Sequence, residues 1–360
     1  MARKLPFALI IVLGFACASL HAQVKSVAAE WLQTENASVE SAQIGSAQND
    51  RVQPGSTPKE GTQTYSAQGS VRTASIGLDS TSVDSSAISS TMLYTAIGLE
   101  AGYYLTAMTV LRNTWYRGRN VVPFHFYDDT KGYLQVDKFG HAFGAYIESY
   151  IGYHLLRDAG LSKSNALIFG GSLGLIMQTP IEIMDGIHEG WGFSWGDMAA
   201  NTLGSAIVVG QELLFDQQLM KCKFSYWESS YSRQANGYLG QTSLNRILKD
   251  YNAHTYWLSV PVKSLLPTSA LPPWLCVSVG YGANGMFGEY ENLREYEGVT
   301  IPETRRYRQY LFSLDIDWTQ IQTDSPVLKA ILTGLTFIKL PFPTVEFTST
   351  GDARGHWIYY

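Results

Sequence analysis

Four apolar segments of 18 to 20 residues, at 92–111, 139–156, 165–184 and 198–215, constrain this chain more than anything else in it. A helix of that length crosses a hydrocarbon core of about 30 Å, so each segment predicts a helix, buried in a bundle or set in a membrane. Tyr103, Tyr104, Trp115, Tyr116, Trp191, Trp195, Tyr226 and Trp227 lie in or beside the segments, and aromatic flanks suit a membrane interface. Two features oppose spanning. Glu100 and Glu148 fall near the middle of their segments, where an unpaired acid costs about 2.5–3.5 kcal/mol on insertion. The basic residues show no bias between alternate connections: Arg112, Arg117, Arg119 and Lys131 follow the first segment, Arg157 and Lys163 the second, Lys221 and Lys223 the fourth. Orientation is therefore undefined. The expectation is a bundle of about four apolar, Gly-rich helices over residues 90–216, with membrane embedding left open.

The segments before the bundle bear on compartment. Arg3 and Lys4 precede an apolar run over residues 5–15 and then small residues up to Ala22, the pattern of a secretory signal peptide cut after Ala22. Cys17 offers a competing reading as a lipid-modified cysteine, although Gly14-Phe15-Ala16-Cys17 lacks the aliphatic residue usual three positions earlier. Residues 23–89 are rich in Ser, Thr, Gln, Ala and Gly, with Trp31 and Tyr65 as the aromatics. Such a stretch cannot bury enough apolar surface to offset its chain entropy and reads as a disordered leader. Cys222 and Cys276 remain after cleavage; an exported chain can pair them, and two isolated thiols fit equally well.

Charge removes one class of function. With 26 Lys+Arg against 31 Asp+Glu and a net charge of -5, the chain has no clustered basic excess for binding phosphates, so nucleic acid is not an expected partner. Beyond residue 216 the pattern changes to short aromatic and β-branched runs at 256–260, 274–281, 310–318, 335–340 and 344–347, with Pro and Gly between them. In 311–318 apolar and polar residues nearly alternate, as in a half-buried strand. Residues 217–360 therefore predict a small antiparallel β region, making the chain α+β. The ending Gly355-His356-Trp357-Ile358-Tyr359-Tyr360 loosely looks like the closing strand of an outer-membrane barrel. Five or six strands fall short of the roughly eight a closed membrane barrel needs, so a sheet packed on the bundle is the expectation.

Polar residues on the helices mark the candidate site. Asp137, His141, Gly144 and Glu148 lie within about 60° of one another on a wheel of 3.6 residues per turn. Gly171, Gly174, Gln178, Glu182 and Asp185 make a second such face, and Asp197, Asn201 and Gly204 a third. Small residues let helices approach and polar ones tie them together. Asp137, Lys138, His141, Glu148, Glu182, Asp185, Asp197 and Asn201 form the candidate cluster. It is read as a buried polar network fixing helix register, as a divalent metal site with His141, Glu182, Asp185 and Asp197 as ligands, or as an acid and base pair. A ferritin-like site needs a Glu-x-x-His pair on each of two helices, which the sequence lacks, and His188-Glu189 has no second His three residues on. Gly170-Gly171-Ser172-Leu173-Gly174 matches a nucleophile elbow in letters, with Asp216 and His254 as the later triad members. The helical context instead favours small residues packing a helix.

The strings Asp137-Lys138-Phe139-Gly140-His141, Glu182-Ile183-Met184-Asp185, Phe193-Ser194-Trp195-Gly196-Asp197 and Asn201-Thr202-Leu203-Gly204 together resemble the YfiM-like family of predicted periplasmic lipoproteins of unknown function. The resemblance covers about residues 90–216, and the tail at 314–317 and 337–341 looks like longer envelope members of that family. More distantly, the order Asp-Lys-x-x-His, Glu, Ser-x-x-Asp, Asn-x-x-Gly is similar to VanZ-like membrane proteins. The resemblance implies a Gram-negative envelope location, periplasm or outer membrane, and no known activity. Two functions follow as expectations: a membrane-associated structural or interaction protein whose partners are membrane lipid or envelope proteins, or a metal-dependent or acid/base hydrolase acting on envelope lipid or peptidoglycan.

Overall fold

The computed structural model describes residues 88–360. The signal peptide, Cys17 and the leader up to residue 87 lie outside the described residues. The helical half begins with α1 (Ser90–Leu111), where the Ser89 hydroxyl accepts from the Met92 amide. This helix is apolar on every side, yet Ala96 is its one buried residue. α2 (Val136–Asp158) is the central helix and carries the buried Tyr146, Tyr150 and Tyr153. The third apolar segment is two helices, α3 (Lys163–Phe169) and α4 (Leu173–Gly186), because the intervening Gly170-Gly171-Ser172 is a turn. α5 (Trp195–Phe215) is capped by Ser194. The expected bundle of about four apolar, Gly-rich helices is therefore a core of α2, α4 and α5, with α3 completing one end and α1 contributing little to the interior.

The core helices meet at glycines. A Cβ on Gly174 would stand 2.0 Å from the Ala145 carbonyl oxygen, and one on Gly204 would stand 2.1 Å from that of Ala142. Backbones that close leave room for short side chains such as Ala145, Ser149 and Ser205. Ser149 and Ser205 share a 2.9 Å hydrogen bond, and their hydroxyls accept from the amides of Gly174 (3.0 Å) and Leu175 (2.9 Å). Two orphan donors at the start of α4 are thereby satisfied by its neighbours.

After α5 come β1 (Lys221–Tyr226), α6 (Ser243–Lys249), β2 (His254–Pro261), α7 (Val262–Leu265) and β3 (Leu275–Asn284). They are followed by β4 (Glu295–Tyr296), β5 (Val299–Thr300), β6 (Tyr307–Ile316), α8 (Pro326–Leu335), β7 (Phe342–Thr348) and β8 (Ala353–Tyr359). Six of these strands form one antiparallel sheet in the order β1-β2-β3-β6-β7-β8. In place of the strand expected at 335–340, the chain turns after α8, which Ser325 caps, and Ile338 makes a single parallel bridge to Phe224 of β1. β1 itself was not expected. The sheet curls until its edges approach: Trp227, beyond β1, stacks on Tyr360 with ring centroids 4.0 Å apart, and the Tyr359 hydroxyl lies 3.4 Å from Thr255 Oγ1 on β2.

The two faces of this sheet have inverted polarity. Register aligns Leu258, Val279, Phe312 and Val345 in one row, flanked by the rows Val260, Val277, Leu314 and Tyr256, Tyr281, Tyr310, Phe347. On this outer face Val277, Val279, Tyr310, Phe312, Leu314, Val345 and Phe347 are all exposed. α2 covers part of it, with Phe139 stacked on Tyr281 and Phe143 against Phe224 and Tyr256. The inner face carries the rows Ser259, Ser278, Ser313, Thr344 and Thr255, Gly282, Gln309, Thr348, with Asp315 opposite Cys276. Ser259, Ser278, Gln309, Asp315, Thr344 and Glu346 are buried there. Lys223 is fully buried and its Nζ lies 2.7 Å from Asp315 Oδ2; Glu346 accepts from Gln309 and pairs with His356, both at 2.7 Å.

Inversion also decides the cysteines. Cys222 opposes Leu258 on the outer face, whereas Cys276 opposes Pro261 on the inner one, and both are free thiols. Alkylation of the denatured, unreduced chain is therefore expected to label both. A mass two hydrogens lower and no labelling would mean that they pair.

Candidate functional site

The site lies where the starts of α2 and α5 meet the end of α4. Three consecutive non-glycine residues before α2, Tyr133, Leu134 and Gln135, have φ of +45°, +50° and +68°. Left-handed backbone costs L-residues roughly 1–2 kcal/mol each, so the surroundings must hold it. The Tyr133 amide donates to the Glu289 carbonyl at 2.8 Å, the Tyr281 hydroxyl donates to the Leu134 carbonyl, and Arg308 Nη2 donates to Gln135 Oε1 at 2.8 Å. The first turns of α2, with Asp137, Lys138 and His141, are thereby fixed from β3, β6 and the loop at Glu289.

Lys138 is the hub. Its Nζ stands 2.8 Å from Asp129 Oδ2, 3.1 Å from Asp137 Oδ2 and 2.7 Å from Asp197 Oδ1. Asp137 Oδ1 accepts from the Tyr251 hydroxyl at 2.7 Å. Ser194 caps α5 by accepting from the Asp197 amide at 3.0 Å and donates to Asp129 Oδ1 at 2.5 Å, so Asp197 sits in the first turn, where the helix dipole favours negative charge.

His141 is held loosely. Its Nδ1 is 3.3 Å from Asn201 Oδ1 and 3.5 Å from Glu182 Oε1, and its Nε2 is 3.7 Å from Asp197 Oδ1. Glu182 is completely buried, and neither of its carboxylate oxygens accepts a hydrogen bond from the protein. Four carboxylates, of Asp129, Asp137, Glu182 and Asp197, thus surround one ammonium and one imidazole. Removing such an excess from water is costly unless positive charge compensates it.

The structure brings Asp137, Lys138, His141, Glu182, Asp197 and Asn201 together. Asp185 turns away to accept from the Tyr116 hydroxyl at 2.7 Å, and Glu148 accepts from Gln178 Nε2 at 3.1 Å further along α2. Asp137, His141 and Asp197 can each place one ligand atom within 4.8 Å of the others, so Asp137 takes the place expected of Asp185. Sequence reasoning missed Asp129, Tyr116 and Tyr251. Asp129 precedes α2 in an Asp-Asp-Thr turn, a usable signal; Tyr251 comes from 114 residues downstream and carried none.

The elbow motif is a turn between two helices in which Ser172 hydrogen-bonds the Ile168 carbonyl. His254 bonds the Ile247 carbonyl at 2.7 Å, and Asp216 pairs with Lys163 at the end of α5. These three do not form a triad.

Residues 125–211 match the family model described as Predicted periplasmic lipoprotein (DUF2279). The matched stretch holds every residue of the cluster except Tyr116 and Tyr251. It is consistent with an uncharacterised, exported envelope chain and does not distinguish the YfiM-like likeness from the VanZ-like one. No curated protein and no solved structure matches the chain.

Proposed function

We propose that this is an exported protein of the bacterial envelope that is inserted in a membrane and acts there as a structural or interaction component, its helices held in register by the buried polar cluster. The observation that carries the reading is the inverted sheet. A water-facing sheet buries its apolar face; membrane strands alternate apolar outward and polar inward. Six strands fall short of a closed membrane barrel, so the sheet rests its exposed apolar face against lipid beside the helices rather than crossing the bilayer by itself. By length and composition the helix Trp195–Phe215 can cross, as can the helical stretch Lys163–Gly186 taken through its turn at Gly170-Gly171-Ser172. Ile168, Ile176, Leu203 and Leu213 expose apolar surface on them, as Ile97 and Leu105 do on α1. The family description supports export to the periplasm.

Expressed with its leader, the chain is expected to stay in the membrane pellet through an alkaline carbonate wash and to need detergent for extraction. Phe312→Arg, in the middle of the outer face, is expected to cost up to about 2–4 kcal/mol, the range for Arg on a lipid-facing strand, and to lower the amount inserted. Release of the parent by carbonate, or a monodisperse chain without detergent, would overturn the reading.

A further inference from the structure

We propose that Asp137, His141 and Asp197 bind one divalent first-row metal ion, with Glu182 and Asn201 orienting the imidazole from behind. The inference is independent of membrane insertion and concerns the cluster alone. His141 Nε2 faces Asp197 across 3.7 Å, too far for a hydrogen bond. Ligand atoms at about 2.0–2.2 Å from a tetrahedral ion stand roughly 3.3–3.6 Å apart, so this gap suits an ion between them. Asp137 completes the set within the same 4.8 Å.

Glu182 supplies the independent argument. A fully buried carboxyl that accepts no hydrogen bond of normal geometry, its nearest donor being His141 Nδ1 at 3.5 Å, either keeps its proton or needs positive charge beside it. It lies on the Nδ1 side of the ring with Asn201 Oδ1. An Nδ1–H directed at these oxygens leaves the Nε2 lone pair free for an ion, the arrangement in which a carboxylate fixes a metal-binding histidine. A dication beyond the ring then compensates Glu182 as well as its own two carboxylates.

Lys138 competes for the same oxygens, and the geometry provides for its displacement. Asp129 already holds the ammonium at 2.8 Å, so Lys138 can keep that contact while releasing Asp137 and Asp197. One imidazole with carboxylates favours Zn²⁺, Mn²⁺ or Fe²⁺ over Ca²⁺ or Mg²⁺, which take all-oxygen sites.

The test uses the full-length chain purified in detergent, stripped by chelator and titrated separately with Zn²⁺ and Mn²⁺. Bound metal and the thermal unfolding midpoint are both read. The expected result is one ion per chain, a midpoint that rises with metal, and an affinity about 10–100-fold weaker in Glu182→Gln. His141→Ala should lose the stoichiometric ion. Asp185→Asn, whose parent side chain is occupied by Tyr116, should bind as the parent does. Glu182→Gln conserves size and carries the test if His141→Ala does not fold. The proposal is overturned if the stripped parent binds neither metal, if folded His141→Ala keeps the ion, or if Glu182→Gln binds as tightly as the parent. A cluster that is only glue would show no metal-dependent midpoint in any variant.

Discussion

Asp315→Ala is expected to lower the unfolding free energy by about 3–5 kcal/mol, the usual cost of stranding one partner of a buried ion pair. Lys223 and Asp315 meet at 2.7 Å on the inner face of the sheet, and both side chains are essentially without solvent contact. Asp315 also accepts from the hydroxyls of Ser259 and Ser278, while the Lys223 ammonium donates to the Ile316 carbonyl at 2.7 Å. Alanine at 315 removes the counter-charge and leaves the ammonium with one neutral acceptor. Replacing both, as Lys223→Met with Asp315→Leu, should recover most of the loss, because the cost comes from the unpaired charge rather than from the absence of the bond. Denaturant unfolding in a fixed detergent, followed by tryptophan fluorescence, checks both variants. A single variant within about 1 kcal/mol of the parent would match an exposed pair and would mean that water reaches the inner face.

That ion pair also shows what the sequence could not reveal. The alternation over residues 311–318 identifies a strand, because period 2 is set by the backbone. It does not say which side is inside. For a chain folded in water, Phe312 and Leu314 belong in the core and Ser313 and Asp315 outside; here Phe312 is 52% exposed and Asp315 0%. The sign depends on what lies on each face of the whole sheet, and that information lies in its other strands. The helical segments were legible because length and apolarity are local properties. The break at Gly170-Gly171-Ser172 reflects local turn chemistry that overrides an apolar run.

For the site, helical spacing was enough to place Asp137 with His141 and Asp197 with Asn201, since a wheel fixes which residues share a face. It could not order the carboxylates. Asp185 lies one turn from Glu182 and was grouped with it, yet Tyr116, from the turn after α1, claims it. The left-handed run at Tyr133, Leu134 and Gln135 has no glycine to announce it. It is imposed by contacts from β3, β6 and the Glu289 loop, more than a hundred residues downstream.

Gly204→Val is expected to cost more than the roughly 1–3 kcal/mol typical of overpacking. Its Cβ would stand 2.1 Å from the Ala142 carbonyl oxygen and 2.8 Å from the Tyr146 amide nitrogen. Both obstacles are helix backbone, so relief requires α2 and α5 to separate rather than a side chain to turn. Gly210, on the same helix, has nothing within 4 Å of an added Cβ. Gly210→Ala should therefore gain about 0.5–1 kcal/mol from helix propensity alone. Separation at Gly204 also reaches the site, because Asn201 and Asp197 lie one and two turns earlier on α5. The 3.3 Å contact of His141 with Asn201 and the 3.7 Å gap to Asp197 both widen, and metal uptake should fall in the Gly204 variant while the Gly210 variant binds as the parent does. Unfolding and metal content measured on the two variants side by side separate helix propensity from helix contact. Equal stability would mean that α2 and α5 do not meet at Gly204.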